Sequence, residues 1–113
     1  MIDNYPEAGK RPLSSMTPAI MEYEDGNMFL SIGGAGGSQI LTAIFQVIMN
    51  LDWGMNVRDG IEYGRMHDQL YPVEVDVDSV YPSWIVERLR EKGHNVTGEY
   101  YYVILLLLSN NIY

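Results

Sequence analysis

The sequence predicts an α+β fold in which helices pack on sheet, and three observations carry that expectation. Asp25-Gly26 separates two strand-like runs, a cluster of glycines leads straight into a long apolar segment, and further on three valines alternate with carboxylates. A strand that feeds an apolar helix calls for a layered arrangement, because each element has a surface to cover.

Taken in order, Asp3 to Pro12 is rich in proline, glycine and charge and keeps neither period 2 nor period 3.6, so residues 1–12 read as an extended arm. Thr17 to Glu24 and Asn27 to Ile32 then read as the arms of a hairpin. Asp-Gly between them suits the positive φ angles of a two-residue type I′ turn. The second arm, Met28-Phe29-Leu30-Ser31-Ile32, is largely apolar, as in a strand covered on both faces. Gly33-Gly34-Ala35-Gly36-Gly37-Ser38 follows as a loop, and Gln39 to Leu51 as a helix. Along that helix Gln39, Thr42, Gln46 and Asn50 recur at steps of three and four, a narrow polar stripe on an otherwise apolar cylinder. The spacing predicts a buried helix packed on a sheet.

Val57 to Tyr63 suggests a second helix and Arg65 to Pro72 a loop. Val73, Val75 and Val77 alternate with Glu74 and Asp76, which marks a strand with one wet face. Pro82 opens a helix over Ser83 to Lys92, on which Trp84, Ile85 and Leu89 can share a face, and Gly93 supplies the stop. Tyr100 to Leu108 is a candidate last strand, although the Ser-Asn-Asn-Ile-Tyr ending offers no turn or cap signal. The doubly covered strand and the apolar helix need more covering surface than 113 residues provide, so the chain is expected to be one partial domain of a larger assembly.

Composition removes several function classes. Fifteen acidic against seven basic side chains give a formal net charge of -8, which repels a phosphate backbone, so nucleic acid is not an expected partner. Without cysteine there is no disulfide, thiolate metal site or thiol nucleophile. The apolar run from Val103 to Leu108 is far short of the roughly 20 residues of a membrane helix. The N-terminus lacks the basic and apolar regions of a signal peptide. Asn95-Val96-Thr97 is an N-glycosylation sequon, usable only in a secreted chain.

Two segments can carry chemistry. Successive glycines before a helix let backbone N–H groups face an anion with no side chain in the way, although the same residues also serve as a tight strand-to-helix turn. No Gly-Lys-Ser/Thr follows, and Gln39 stands where a dinucleotide fingerprint needs its last glycine. The adjacent hydroxyls of Ser14 and Ser15 can hold a carboxylate or bond locally to the backbone. His67 and His94 have no metal-ligand spacing and read as structural or surface residues. Glu74, Asp76 and Asp78 alternate as a solvated face does, and no Gly-x-Ser-x-Gly elbow is present. No metal or cofactor is expected.

Gly9-Lys10-Arg11-Pro12-Leu13-Ser14-Ser15-Met16-Thr17-Pro18 and Gly33-Gly34-Ala35-Gly36-Gly37-Ser38-Gln39-Ile40 resemble two signature blocks of the gamma-glutamyltranspeptidase small subunit, in matching order and separation. Gly64-Arg65-Met66-His67-Asp68-Gln69-Leu70-Tyr71-Pro72 is similar to that family's Arg-x-His-x-Gln loop, and Leu89 to Val96 resembles its Leu-x-x-x-Gly-His segment. The likeness runs from about Asn4 to Val96 and leaves residues 100–113 as an atypical tail, without the polar, glycine-containing strand the family would show.

This resemblance implies a partial N-terminal-nucleophile hydrolase fold, an αββα sandwich incomplete in this chain. It implies that Ser14 and Ser15 bind the α-carboxylate of a gamma-glutamyl group and that Gly36 and Gly37 form the oxyanion hole. The implied activity is gamma-glutamyltransferase or glutathione hydrolase, acting on glutathione or another gamma-glutamyl compound. Acyl transfer would run through a covalent threonine intermediate. That threonine, and the groups holding the donor's α-amino nitrogen, would lie upstream, so the implied partners are a large subunit and the upstream part of the small subunit. The 113 residues alone are expected to be inactive. The implied location is extracellular, at the cell surface or in the vacuolar lumen. The alternatives are a non-catalytic binding or assembly module that keeps part of the fold, and an anion-binding protein built on the glycine loop.

Overall fold

A computed structural model describes residues 4–98 and 103–109. Two three-stranded sheets and three helices follow the order β1 (Ala19–Glu22), β2 (Met28–Ala35), α1 (Ile40–Asp52), α2 (Val57–Glu62), β3 (Met66–His67), β4 (Val75–Val77), α3 (Ser83–Glu91), β5 (Val96–Thr97) and β6 (Ile104–Ser109). The first sheet is antiparallel in the order β1-β2-β6, and the second has the order β3-β4-β5 with β4 and β5 parallel. The molecule extends 46 × 44 × 21 Å. Its thin axis has room for about two layers, since packed layers lie about 10 Å apart.

The N-terminal arm has neither helix nor strand from Tyr5 to Pro18. It is looped rather than straight, because Lys10 N–H turns back to the Glu7 carbonyl and the Asn4 side chain accepts from Leu13 N–H. The hairpin forms where the Asp-Gly signal places it, with a different turn. Tyr23 pairs with Asn27 and Gly26 N–H reaches the Tyr23 carbonyl, which leaves Glu24, Asp25 and Gly26 as a three-residue loop. Only Gly26 has a positive φ there, 82°, so the connection is a type I turn followed by a left-handed glycine and not a type I′ turn. Asp25 favours this form because its carboxylate accepts from both the backbone and the side chain of Asn27. Those bonds, the backbone one foremost, hold its carboxyl below the usual range.

β2 runs further than expected and takes in Gly33, Gly34 and Ala35. The reason lies on β6. A Cβ on Gly34 would sit 2.8 Å from Leu105 Cδ2 and 3.1 Å from the Ile104 carbonyl oxygen, and one on Gly36 would sit 2.7 Å from Val103 Cγ2. Glycine lets the last strand lie flush against β2, with Ala35 paired to Ile104 and Leu30 to Ser109. The final apolar run is therefore a strand from Ile104 to Ser109, while Tyr100–Tyr102 and residues 110–113 of the atypical tail lie outside the described residues.

Leu30 and Ile32 on β2 and Ile40, Ile44 and Val47 on α1 make the main core, with Leu105 and Leu107 packed against it. The alternate residues of β6, Ile104, Leu106 and Leu108, face away and are exposed, as is Ile20 on β1. One face of the sheet is thus covered and the other is open. Likewise α1 is half buried rather than sunk all round, since Leu41 and Phe45 are exposed. The second core is Val75, Val77, Val86 and Val96. On α3 it is Val86 that is buried, and Trp84 points outward, 66% exposed, because the helix meets the sheet one residue further round than the Trp84-Ile85-Leu89 face. The segment Arg65 to Pro72 contains β3, which the absence of alternation in Met66-His67 concealed. Among the described residues no helix is long and apolar enough to cross a membrane.

The glycine run makes a graded test. Gly33→Ala, where a Cβ meets nothing within 4 Å, is expected to be tolerated. Gly34→Ala and Gly36→Ala should each destabilise by about 1–3 kcal/mol through overpacking against Leu105 on β6 and Val103 just before it. Urea unfolding of the three variants checks the order.

Candidate functional site

The candidate site begins where β2 ends. Gly36 leaves the strand, Gly37 adopts φ 63° in the left-handed region, and Gly37–Gln39 form a 3₁₀ turn that runs into α1. Gly36 and Gly37 are exposed, and neither N–H donates to another described residue. Two backbone donors that spend nothing on the fold are suited to a negative oxygen.

Ser14 and Ser15 lie on the exposed segment that enters β1. Because Ala19 pairs with Ile32 in antiparallel register, the start of β1 and the end of β2 occupy the same end of the sheet. The serine segment therefore leads into the sheet at the end where the glycine turn leaves it, and no hydrogen bond joins the two among the described residues. Ser14 Oγ accepts from Met16 N–H at 3.1 Å, and the Ser15 carbonyl accepts from Thr17 Oγ1 at 3.1 Å. These local bonds shape the segment and, among the described residues, leave the Ser15 hydroxyl uncommitted.

Behind the turn, the polar stripe of α1 is spent on the second sheet. Gln46 Nε2 donates to the Met66 carbonyl at 2.6 Å and to the Thr42 carbonyl at 2.8 Å, while its Oε1 accepts from Met66 N–H at 2.9 Å. One side-chain amide thus pairs both backbone groups of Met66. Asn50 Nδ2 donates to the Gly60 carbonyl at 3.2 Å and ties down α2. Thr42 Oγ1 lies 2.8 Å from His67 Nδ1 and 3.1 Å from the Gln39 carbonyl.

His67 is buried, as a structural histidine should be, and both ring nitrogens are engaged. Gln69 Nε2 donates to the Tyr71 carbonyl at 2.8 Å, which turns its Oε1 toward His67 Nε2 at 3.0 Å. The Gln69 oxygen makes Nε2 the donor, and the single Thr42 hydroxyl proton is shared between His67 Nδ1 and the Gln39 carbonyl as alternative acceptors. His94 is exposed. No group of three or more His, Cys, Asp or Glu side chains is placed to hold a metal among the described residues.

Two buried polar side chains are incompletely paired. Arg65 is 8% exposed, yet its Nε and Nη1 are buried without a hydrogen-bond partner among the described residues. Gln39 is 6% exposed, and its Oε1 is likewise unpartnered. Gln39 also lines a polar cavity of about 210 Å³ with Ser38, His67, Gln69, Pro72, Glu74 and Asp76. A more apolar hollow of about 250 Å³ lies between Phe45, Met49, Trp53, Met66 and Tyr81. The Tyr81 hydroxyl there is pushed up by burial and by Tyr63. Nothing in its lining marks it for catalysis.

These elements are arranged as in solved gamma-glutamyltranspeptidases, which have the N-terminal-nucleophile hydrolase fold. The chain superposes on an acivicin-inhibited gamma-glutamyltranspeptidase with a TM-score of 0.83 at 32% identity, covering 94% of this chain and 57% of that one. Against a mutant gamma-glutamyltranspeptidase of Helicobacter pylori the TM-score is 0.82 at 32% identity, covering 92% and 56%. The family model for gamma-glutamyltranspeptidase matches residues 2–104, and the chain belongs to that family. A glutathione hydrolase proenzyme of Arthroderma benhamiae is 40% identical over 97 residues, which are 85% of this chain and 17% of that protein. The chain thus spans about a sixth of the length of such curated relatives.

The Gln46 contact predicts a measurable dependence. Gln46→Leu leaves Met66 N–H and C=O without partners and should destabilise by about 2–4 kcal/mol, whereas Leu41→Ala on the exposed side should change stability by under about 1 kcal/mol. Tryptophan-monitored urea unfolding of both variants checks the contrast.

Proposed function

We propose that this chain supplies the oxyanion-binding and carboxylate-binding wall of an enzyme that cleaves gamma-glutamyl amides by acyl transfer. The observation that carries the reading is the pair of uncommitted N–H groups on Gly36 and Gly37 at the end of the sheet where the Ser14-Ser15 segment enters it. Membership of the gamma-glutamyltranspeptidase family supports it, as does the likeness to glutathione hydrolases.

In this reading a threonine outside the 113 residues attacks the gamma-carbonyl carbon of the donor. Its hydroxyl proton passes to the leaving amine as the C–N bond breaks, and an acyl-threonine ester remains. The carbonyl oxygen gains negative charge in each tetrahedral stage and sits against Gly36 and Gly37 N–H. Loss of one such donor typically costs on the order of 3 kcal/mol in the transition state. The Ser14 and Ser15 hydroxyls hold the α-carboxylate, which fixes the glutamyl group so that its distal carbonyl meets the glycine turn. Water or an acceptor amine then takes the acyl group. Glutathione is the donor class the relatives' names suggest, and a large subunit with the upstream part of the small subunit completes the site.

The test is gamma-glutamyl-p-nitroanilide turnover by the 113-residue chain, alone and mixed with a separately expressed upstream half. Turnover in the mixture only is the expected result, and turnover by the chain alone contradicts the mechanism. Silence with halves that fold and associate favours a non-catalytic module. In the complete enzyme, Ser14→Ala with Ser15→Ala is expected to raise KM for the donor at least tenfold, the loss of about 1.5–3 kcal/mol of charge-assisted hydrogen bonding. An unchanged KM would remove the serine assignment.

A further inference from the structure

Asn95-Val96-Thr97 is the only Asn-x-Ser/Thr triplet in the chain, and the fold places its first residue where a bulky group can be carried. α3 ends at Glu91, Gly93 turns the backbone with φ 93°, and residues 91–95 are all exposed before β5 begins at Val96. The Asn95 side chain makes no hydrogen bond among the described residues, whereas its carbonyl accepts from Val75 N–H at 2.8 Å. The backbone is thus anchored while the side-chain amide stays free. β5 is an outer strand of the second sheet, so a substituent on Asn95 stands at the rim of the molecule and displaces no packed residue.

The other two residues of the triplet are locked. Val96 is 8% exposed and packs with Val75, Val77 and Val86 in the second core, and its carbonyl accepts from Arg90 Nη2 at 3.3 Å. The Thr97 hydroxyl donates to Asp76 on the neighbouring strand. A glycosyl-transferring enzyme has to take the asparagine amide and the hydroxyl two residues on from one segment of chain. In the folded protein that hydroxyl is spent, and Val96 cannot leave the surface without opening the core beneath it. The triplet is therefore an acceptor before β5 pairs with β4 and is withdrawn afterwards, while Asn95 itself remains exposed in either state.

We propose that Asn95 accepts an N-linked oligosaccharide while the chain is unfolded, and that folding of the second sheet closes the site. The co-reactant is an oligosaccharide on a polyprenyl pyrophosphate. Asn95 Nδ2 bonds to C1 of the first sugar, the C1–O bond breaks, the pyrophosphate leaves with the bonding pair, and the nitrogen gives up one proton. The step takes place only where that donor is present, in the lumen through which a secreted chain passes. It is independent of the acyl-transfer reading.

The experiment offers the full chain, made without glycan in a bacterial cytoplasm, to a solubilised eukaryotic oligosaccharyltransferase with a dolichyl-pyrophosphate oligosaccharide. One sample is folded and the other is diluted from urea as the reaction starts. The diluted chain is expected to gain one oligosaccharide, placed on Asn95 by peptide mass spectrometry, and the folded chain at least tenfold less. Asn95→Gln, a change at an exposed side chain, should gain none. Val86→Asp opens the second core without touching the triplet, so it keeps the acceptor available should the diluted chain refold before transfer. No transfer to either the diluted chain or Val86→Asp, or transfer that persists in Asn95→Gln, overturns the acceptor assignment. Equal transfer to the folded chain overturns the closing of the site by folding.

Discussion

The two sheets are joined across α1 chiefly by one side-chain amide. Gln46 sits on α1 with its apolar neighbours Ile44 and Val47 turned to the first sheet, and it hands its own hydrogen-bonding capacity to the backbone of Met66 on the second. A two-residue strand such as β3 has too few ladder bonds to hold itself, so its place is set by what it docks on. The carbonyl and N–H of Met66 are paired by a nitrogen and an oxygen whose arrangement cannot be reversed without setting like against like. That contact, with Thr42 to His67, fixes how β3 sits against α1. Asn50 does the same for α2 through the Gly60 carbonyl, and Thr42 for the His67 ring.

The pattern on α1 predicted a helix packed on a sheet, and left open what its polar stripe would meet. The stripe of Gln39, Thr42, Gln46 and Asn50 is visible in the sequence, and so is the helix that carries it. A polar stripe normally faces water. Here it faces backbone, because β3 offers unpaired polar groups that a leucine would have left unsatisfied. Nothing in Met66-His67 announces a strand, and β5 is equally short, so of the second sheet only β4, with its alternating valines, was legible in the sequence. The first sheet was easier to read, since Asp25-Gly26 and the apolar run after it are local signals. Its turn differs by one residue because Asp25 bonds forward to Asn27, a preference that competes with the type I′ geometry.

The glycines divide along the same line between local and distant causes. Gly37 is needed for its own backbone angle, which a sequence pattern can suggest. Gly34 is needed because Leu105 and Ile104 approach it, and Gly36 because Val103 does, contacts made by residues about seventy positions away. A run that looks like one functional loop therefore holds two kinds of residue. Of the two glycines proposed for the oxyanion hole, Gly37 is free of close neighbours and Gly36 meets Val103, while within the strand Gly34 is set by packing and Gly33 is not. Ser14 and Ser15 were legible only by resemblance, since they are exposed, bond locally, and have nothing in their pattern that separates them from an ordinary turn.

What the described residues leave uncovered has a shape that matches the family's architecture. Ile20, Ile104, Leu106 and Leu108 make the outer face of the first sheet apolar, and burying four such side chains would contribute on the order of 5–10 kcal/mol. In the αββα arrangement that face is where a second sheet packs. The strand bearing three of these residues also fills the space above Gly34 and Gly36, so the same element covers the glycine turn from one side and offers its apolar side chains on the other. The residues that limit Gly34 and Gly36 therefore belong to the segment whose opposite face is open.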